Sequence, residues 1–288
     1  MLLSALCFAL INILVKILTN SAELFPEIQE YPVFEIVFFR SIISLAICTS
    51  IIKAKKIPFF GNNKKWLLIR GFAGFTALTL FFFTLKNLPL AISISVQYLS
   101  PIFTILFAIK LQKEKVEPYQ WIFFMLSLIG VAIIGYFKDP NLHFNPLWLG
   151  LGILSAIISG IAYNAIMKCR ETDEPITVVL YFPLVATPIT LILCLTTGFV
   201  IPIGIEWIIL LGIGLLTQVA QVSMTRAFHA DSASRVTPIK YVGAIYAVAA
   251  GVFIFDENLG LMTSIGIILI LIGVLLNTFV KSYVAKRS

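Results

Sequence analysis

Ten long apolar segments follow one another along the chain, and they decide what it can fold into. Each approaches the roughly 20 residues that a helix needs to cross a lipid bilayer. None shows the period-two alternation of barrel strands, and backbone groups in lipid must be hydrogen-bonded within the protein, so each is predicted to be a helix. The segments cover approximately residues 2–19, 33–52, 66–86, 89–111, 119–137, 148–168, 176–198, 205–228, 233–255 and 260–280.

The composition and the placement of charge agree with a polytopic membrane protein. Only 12% of the 288 residues are charged, against about 25% in an average soluble domain. The net charge of +7 comes from lysines and arginines in short loops, so we attribute it to membrane topology and predict no nucleic-acid partner. With the N-terminus in the cytoplasm, 15 basic residues lie on the cytoplasmic side and two, Lys86 and Lys138, on the other. This asymmetry predicts that both termini are cytoplasmic.

The two halves of the chain resemble each other. Residues 84–134 align with residues 227–277 without a gap, and the alignment pairs Tyr98 with Tyr241 and Glu114 with Glu257. Each half has five spans. Because five is an odd number, the second half starts on the opposite side of the membrane and has the inverted orientation. We therefore predict ten transmembrane helices, arranged as two inverted five-helix repeats around a central cavity. The predicted repeats are residues 1–138 and 147–281, followed by a cytoplasmic tail at 282–288.

The fourth segment and its repeat, the ninth, are both interrupted by proline. Pro101 and Pro238 each lie within an apolar run, where proline removes a backbone donor and breaks or kinks a helix. In the fourth segment, Ser93, Gln97, Ser100 and Thr104 share one helical face. Broken helices with polar faces, in matching halves, are typical of transporter binding sites.

The longest distinctive passage, at residues 70–116, reads RGFAGFTALTLFFFTLKNLPLAISISVQYLSPIFTILFAIKLQKEKV. With the ten spans, it resembles the EamA-like family of the drug/metabolite transporter superfamily. The second half repeats the pattern more weakly in YVGAIYAVAAGVFIFDENLG. The resemblance implies a ten-helix transporter with a central cavity and alternating access. It does not imply a particular substrate. We predict that the protein lies in the cytoplasmic membrane of a bacterium.

Ionisable groups within spans are functional candidates, because they are costly in lipid. Arg40 and Lys240 lie about seven residues inside their helices, at a depth of roughly 10 Å. For Arg70, near the interfacial Trp66, we favour a side chain that extends to the headgroups. Glu35 is a candidate for proton coupling, although a solvated position in the outer interface is the simpler expectation.

The predicted substrate-binding residues share a place on a polar helical face or beside a helix break. The alternative for each polar side chain is a hydrogen bond that joins two helices. The predicted set is Gln97, Tyr98, Lys240, Tyr241, Arg40, Gln218, Asn12 and Ser93.

The sequence lacks the common motifs of enzymes, metal sites and cofactor sites. It has no HExxH, GxSxG or phosphate-binding glycine loop, and its four cysteines show no paired spacing. We predict no catalytic residues, no metal and no cofactor. The sequence favours a secondary transporter of a small polar or amphipathic metabolite, amino-acid-like or otherwise anionic or zwitterionic. The alternatives are a membrane enzyme or a lipid-modifying or lipid-flipping protein, and a scaffold or receptor.

Overall fold

The structure, a computed structural model, describes residues 1–20, 25–112, 118–136, 145–230, 242–257 and 259–284. Within these ranges every regular element is an α-helix. The helices are α1 (Leu2–Thr19), α2 (Val33–Lys55), α3 (Lys64–Asn87), α4 (Leu90–Gln97), α5 (Ser100–Gln112), α6 (Pro118–Tyr136), α7 (Pro146–Lys168), α8 (Pro175–Thr197), α9 (Glu206–Ala230), α10 (Val242–Phe253) and α11 (Leu261–Val284).

The helices confirm an all-α polytopic membrane protein. Seven spans in the described ranges are long and apolar enough to cross a membrane: α1, α2, α3, α4 with α5, α7, α8 and α9. The helices α6 and α11 hold shorter apolar stretches, Trp121–Ile134 and Leu261–Gly273. The total of ten spans stays a prediction. The last helix runs to Val284, so it includes the first residues of the predicted tail.

The predicted break in the fourth span is confirmed. Helix α4 ends at Gln97 and α5 begins at Ser100. Pro101 has no N–H to donate to the carbonyl of Gln97, which is the bond that a continuous helix would make there. Shorter turns replace it, in which the Leu99 amide donates to Val96 O (3.0 Å) and the Ile102 amide to Leu99 O (2.9 Å). Pro238, the proline of the ninth segment, and Glu114 lie outside the described residues.

The helix neighbours are compatible with an inverted repeat. If the first five spans are superposed on the last five, the pair α3–α7 corresponds to α9–α1, and both pairs are in contact. In the same way α5–α7 corresponds to α10–α1, and α2–α9 to α8–α3. The pairs α2–α8 and α6–α11 each correspond to themselves, and both are in contact. The two halves therefore share a common interface and are not separate bundles.

Carboxylates tie the two halves together at both ends of the bundle. At the end where α1 begins, Asp173 accepts hydrogen bonds from the backbone amides of Asn62 (2.5 Å) and Asn63 (3.2 Å). At the opposite end, Glu257 accepts from the amides of Leu90 and Ala91, which are the free donors in the first turn of α4. The space between these ends holds the cavity described next.

Candidate functional site

A cavity of about 150 Å³ lies between the two halves, and helices of both halves contribute to its wall. Small side chains keep it open, because Ala5 and Ala9 of α1 and Gly74 and Ala77 of α3 face it. Much of the remaining wall is aromatic or aliphatic. The polar groups are few, so each of them contributes strongly to the chemistry of the cavity.

Four of the predicted residues line this cavity: Asn12, Arg40, Gln97 and Tyr98. Gln97 is fixed in orientation by α7, because its Oε1 accepts from Ser155 Oγ at 3.0 Å and its Nε2 donates to Ser159 Oγ at 3.0 Å. Gln97 and Tyr98 immediately precede Leu99, where the helix is broken. The break thus places a polar and an aromatic side chain together at the cavity wall.

Two predicted residues lie elsewhere, in contacts between helices. Ser93 is fully buried and donates to Thr84 O at 3.2 Å, which joins α4 to α3. Gln218 accepts from Ser44 Oγ at 2.6 Å, which joins α9 to α2. Neither lines the cavity. Both side chains make hydrogen bonds between helices, which is the alternative to a role in substrate binding. Lys240 and Tyr241 lie outside the described residues.

Arg70 occupies a different place from the one that its sequence position suggested. It is only 2% exposed and lines the cavity instead of extending to the headgroups. Its Nη2 donates to Gln221 Oε1 at 2.9 Å, and Gln221 also lines the cavity. A side chain at Gly74, one turn further along α3, would collide with Arg70 Nη1. This glycine four residues after an arginine was the signal in the sequence for an inward-facing guanidinium.

Arg40, which is 1% exposed, lies against two phenylalanine rings. Its Cζ is 5.6 Å from the ring centroid of Phe82 and 5.2 Å from that of Phe182. Its Nε and Nη2 are buried without a hydrogen-bond partner, as is the Nε of Arg70. Glu35, on the same helix, accepts a hydrogen bond from the amide of Val200 at 3.1 Å.

Few contacts offset the burial of these two charged arginines. Moving an ion into a protein interior costs several kcal/mol even after relaxation. A cation–π contact returns about 0.5–2 kcal/mol, and a hydrogen bond from a charged group about 1.5–3 kcal/mol. Among the described residues, the ion pair present is Lys86 with Glu30, at the end of the bundle opposite the start of α1. The protein therefore leaves two buried positive charges without a counter-charge within the described ranges.

Glu35 is buried and not solvated, in contrast to the simpler expectation from the sequence. It is 0% exposed, and one carboxylate oxygen, Oε1, has no hydrogen-bond partner. It does not line the cavity. Burying a charged oxygen without a partner is costly, and the binding of a proton would remove that charge.

Most of the chain is similar in sequence to known transporters. The chain is 29% identical over 273 residues to the pseudopaline exporter of Pseudomonas aeruginosa, covering 94% of this chain and 92% of the relative. It is 30% identical over 288 residues to an uncharacterized transporter of Helicobacter pylori, covering 96% and 92%. It is 23% identical over 230 residues to the S-adenosylmethionine uptake transporter of Rickettsia prowazekii, covering 78% and 75%. The helical fold matches a solved crystal structure with a TM-score of 0.67 at 16% identity, over 98% of both chains.

The named relatives are transporters, two of them of a stated small molecule, and this chain is likewise a small-molecule transporter and not an enzyme. The model of the EamA-like transporter family matches residues 1–136 and again residues 146–279. The chain therefore belongs to the EamA-like transporter family.

Proposed function

We propose that this protein is a secondary transporter that moves a small polar or amphipathic metabolite, anionic or zwitterionic, by alternating access. The observation that carries the proposal is the central cavity, whose wall is built by both halves and contains the buried Arg40 and Arg70 and the partly buried Gln97. Ionisable side chains inside a membrane bundle are costly, and they commonly mark the pathway of a solute. The relatives named for pseudopaline and S-adenosylmethionine support an organic solute.

The proposed location is the inner membrane of a bacterium, with both termini in the cytoplasm. The support is the 15-to-2 distribution of basic residues between the two sides and the bacterial origin of the relatives described above.

A flux assay with a cavity-blocking variant tests the proposal. Proteoliposomes are incubated with a defined mixture of amino acids, carboxylic acids and nucleosides, and the lumen is analysed by mass spectrometry. We expect at least one unmodified solute to enter faster than into protein-free liposomes. Ala77→Trp fills the cavity and should abolish this entry. The matched control is Leu68→Trp, on the same helix but 46% exposed on the outside of the bundle, which should transport normally.

Equal entry with Ala77→Trp and Leu68→Trp would contradict a central pathway. Recovery of a chemically altered product would contradict transport itself.

We also propose that protons are coupled to transport through Glu35. The support is its complete burial with an unpaired carboxylate oxygen, an arrangement that a bound proton would relieve. An imposed pH gradient should accelerate flux in the wild type and should have no effect in Glu35→Gln, while flux without a gradient persists. An equal response of both proteins to the gradient would remove Glu35 from coupling.

A further inference from the structure

The two buried guanidinium groups lie against the same aromatic ring. The Cζ of Arg40 is 5.2 Å and the Cζ of Arg70 is 5.9 Å from the ring centroid of Phe182. The sum of those two distances sets an upper limit of about 11 Å on the separation of the two guanidinium carbons. Both groups line the same cavity, so a single small molecule can contact both of them.

The hydrogen-bonding capacity of this pair is largely unused. Within the described part of the chain, Arg70 donates to Gln221, whereas the Nε atoms of both arginines and the Nη2 of Arg40 have no partner. A guanidinium presents its donors in a planar fork that matches a carboxylate. A cation–π contact is an electrostatic attraction to the ring, so the contacts with Phe82 and Phe182 use none of the N–H donors.

We propose that the cavity binds an organic dianion, with one carboxylate at Arg40, one at Arg70 and an apolar body between them. This inference rests on the proposed function and names the class of its substrate. Two negative charges are required, because a single one leaves a buried guanidinium without a counter-charge. An organic body is required, because Phe8, Phe81, Ile94 and Met224 supply apolar wall around the pair. Inorganic phosphate would leave that wall facing water.

A ligand series on the purified wild-type protein provides the first test. Dicarboxylates from succinate to sebacate are titrated by calorimetry, and the tightest-binding member is compared with the monocarboxylate and the diamide of the same chain length. Losing one charge-assisted contact should weaken binding about ten- to a hundredfold, and losing both should abolish measurable binding. Equal binding of the dicarboxylate and the monocarboxylate would overturn the proposal.

Variants then assign the two carboxylates to the two arginines. Arg40→Met and Arg70→Met should each weaken the dicarboxylate about ten- to a hundredfold while leaving the monocarboxylate less affected. The matched control is Arg226→Met, which removes the same charge from an exposed position on α9 and should bind normally. Replacing the buried charge of Arg40 with an apolar side chain removes the cost of burying that charge, so ligand-free Arg40→Met should melt no lower than the wild type. Unchanged dicarboxylate binding in both variants would refute the assignment.

Failure of this inference can be told apart from failure of the proposed function. Flux of another metabolite that Ala77→Trp blocks, without dicarboxylate binding, would refute the dianion and leave transport standing. Dicarboxylate binding that depends on both arginines, without flux of any solute, would support the binding site and refute transport.

Discussion

Glu206, at the end of the bundle opposite the start of α1, is the basis of our most quantitative prediction. Its Oε1 accepts from the Gln29 amide at 2.6 Å. Its Oε2 accepts from Gln29 Nε2 (3.0 Å), Tyr31 Oη (2.6 Å) and the Ile203 amide (2.7 Å). Burial and the hydrogen bond to Glu206 raise the pKa of Tyr31, so this phenol keeps its proton and acts as a donor at neutral pH. One carboxylate thus joins a loop of the first half to a loop of the second.

The substitution Glu206→Gln removes the charge and one acceptor. If the new amide oxygen takes the Oε2 position, the NH2 group of the glutamine faces the backbone amide of Gln29. This partly buried donor then loses its acceptor, at a cost of about 1–3 kcal/mol. The three remaining bonds fall from charge-assisted, about 1.5–3 kcal/mol each, to neutral, about 1 kcal/mol each. Removing the charge also removes the cost of burying it. We therefore expect a total loss of local stability near the lower end of this range, about 3 kcal/mol.

Hydrogen exchange followed by mass spectrometry measures this loss where it occurs. A loss of about 3 kcal/mol in the local opening free energy corresponds to about a hundredfold faster exchange. We expect this acceleration in peptides containing Gln29 and Ile203, but not in peptides from α7. The control is Glu27→Gln, an exposed carboxylate in the same loop, which should exchange like the wild type. If Glu206→Gln and Glu27→Gln exchange alike, the three hydrogen bonds from Gln29 and Tyr31 to Glu206 do not hold the two loops together.

Three further predictions concern packing, reactivity and pH. A Cβ at Gly71 would lie 2.6 Å from Tyr181 O, so Gly71→Ala should push α3 from α8 and cost about 1–3 kcal/mol. The added Cβ of Gly212→Ala meets no atom within 4 Å, so this variant should be about 0.5–1 kcal/mol more stable than the wild type. Thermal melts measure both variants, and melting temperatures that change in the same direction would contradict this packing. Burial raises the pKa of the Cys169 thiol to about 12, so N-ethylmaleimide at pH 8 should label it about a thousandfold more slowly than an ordinary thiol; rapid labelling of the folded protein would disprove this. Burial also raises the pKa of Glu257, so its contribution to stability is present below its ordinary pKa of 4.5 and is lost as the pH rises through the raised value. Melting temperatures recorded against pH should therefore fall less steeply over that interval in Glu257→Gln than in the wild type, and parallel curves would exclude Glu257 as the titrating group.

Local sequence features determined the class of fold and the position of the helix break. Hydropathy over about 20 residues predicts a membrane-spanning helix whatever its neighbours are. The break at Leu99 was equally predictable, because Pro101 removes a donor from its own helix and the effect does not depend on other helices. That break is also why Gln97 and Tyr98, predicted together, both lie at the cavity.

Only the tertiary structure decided which polar faces meet the cavity and which meet another helix. Gln218 and Gln221 lie less than one turn apart on α9, yet the first bonds to Ser44 of α2 and the second to Arg70 in the cavity. Periodicity groups such residues on one face, but the rotation of that face depends on how α9 packs against its neighbours. The depth of Arg70 was likewise undetermined, because a long side chain near a helix end can extend to the headgroups or turn inward. The space beside Gly74, enclosed by helices distant in sequence, accepts the guanidinium of Arg70, which therefore lines the same cavity as Arg40.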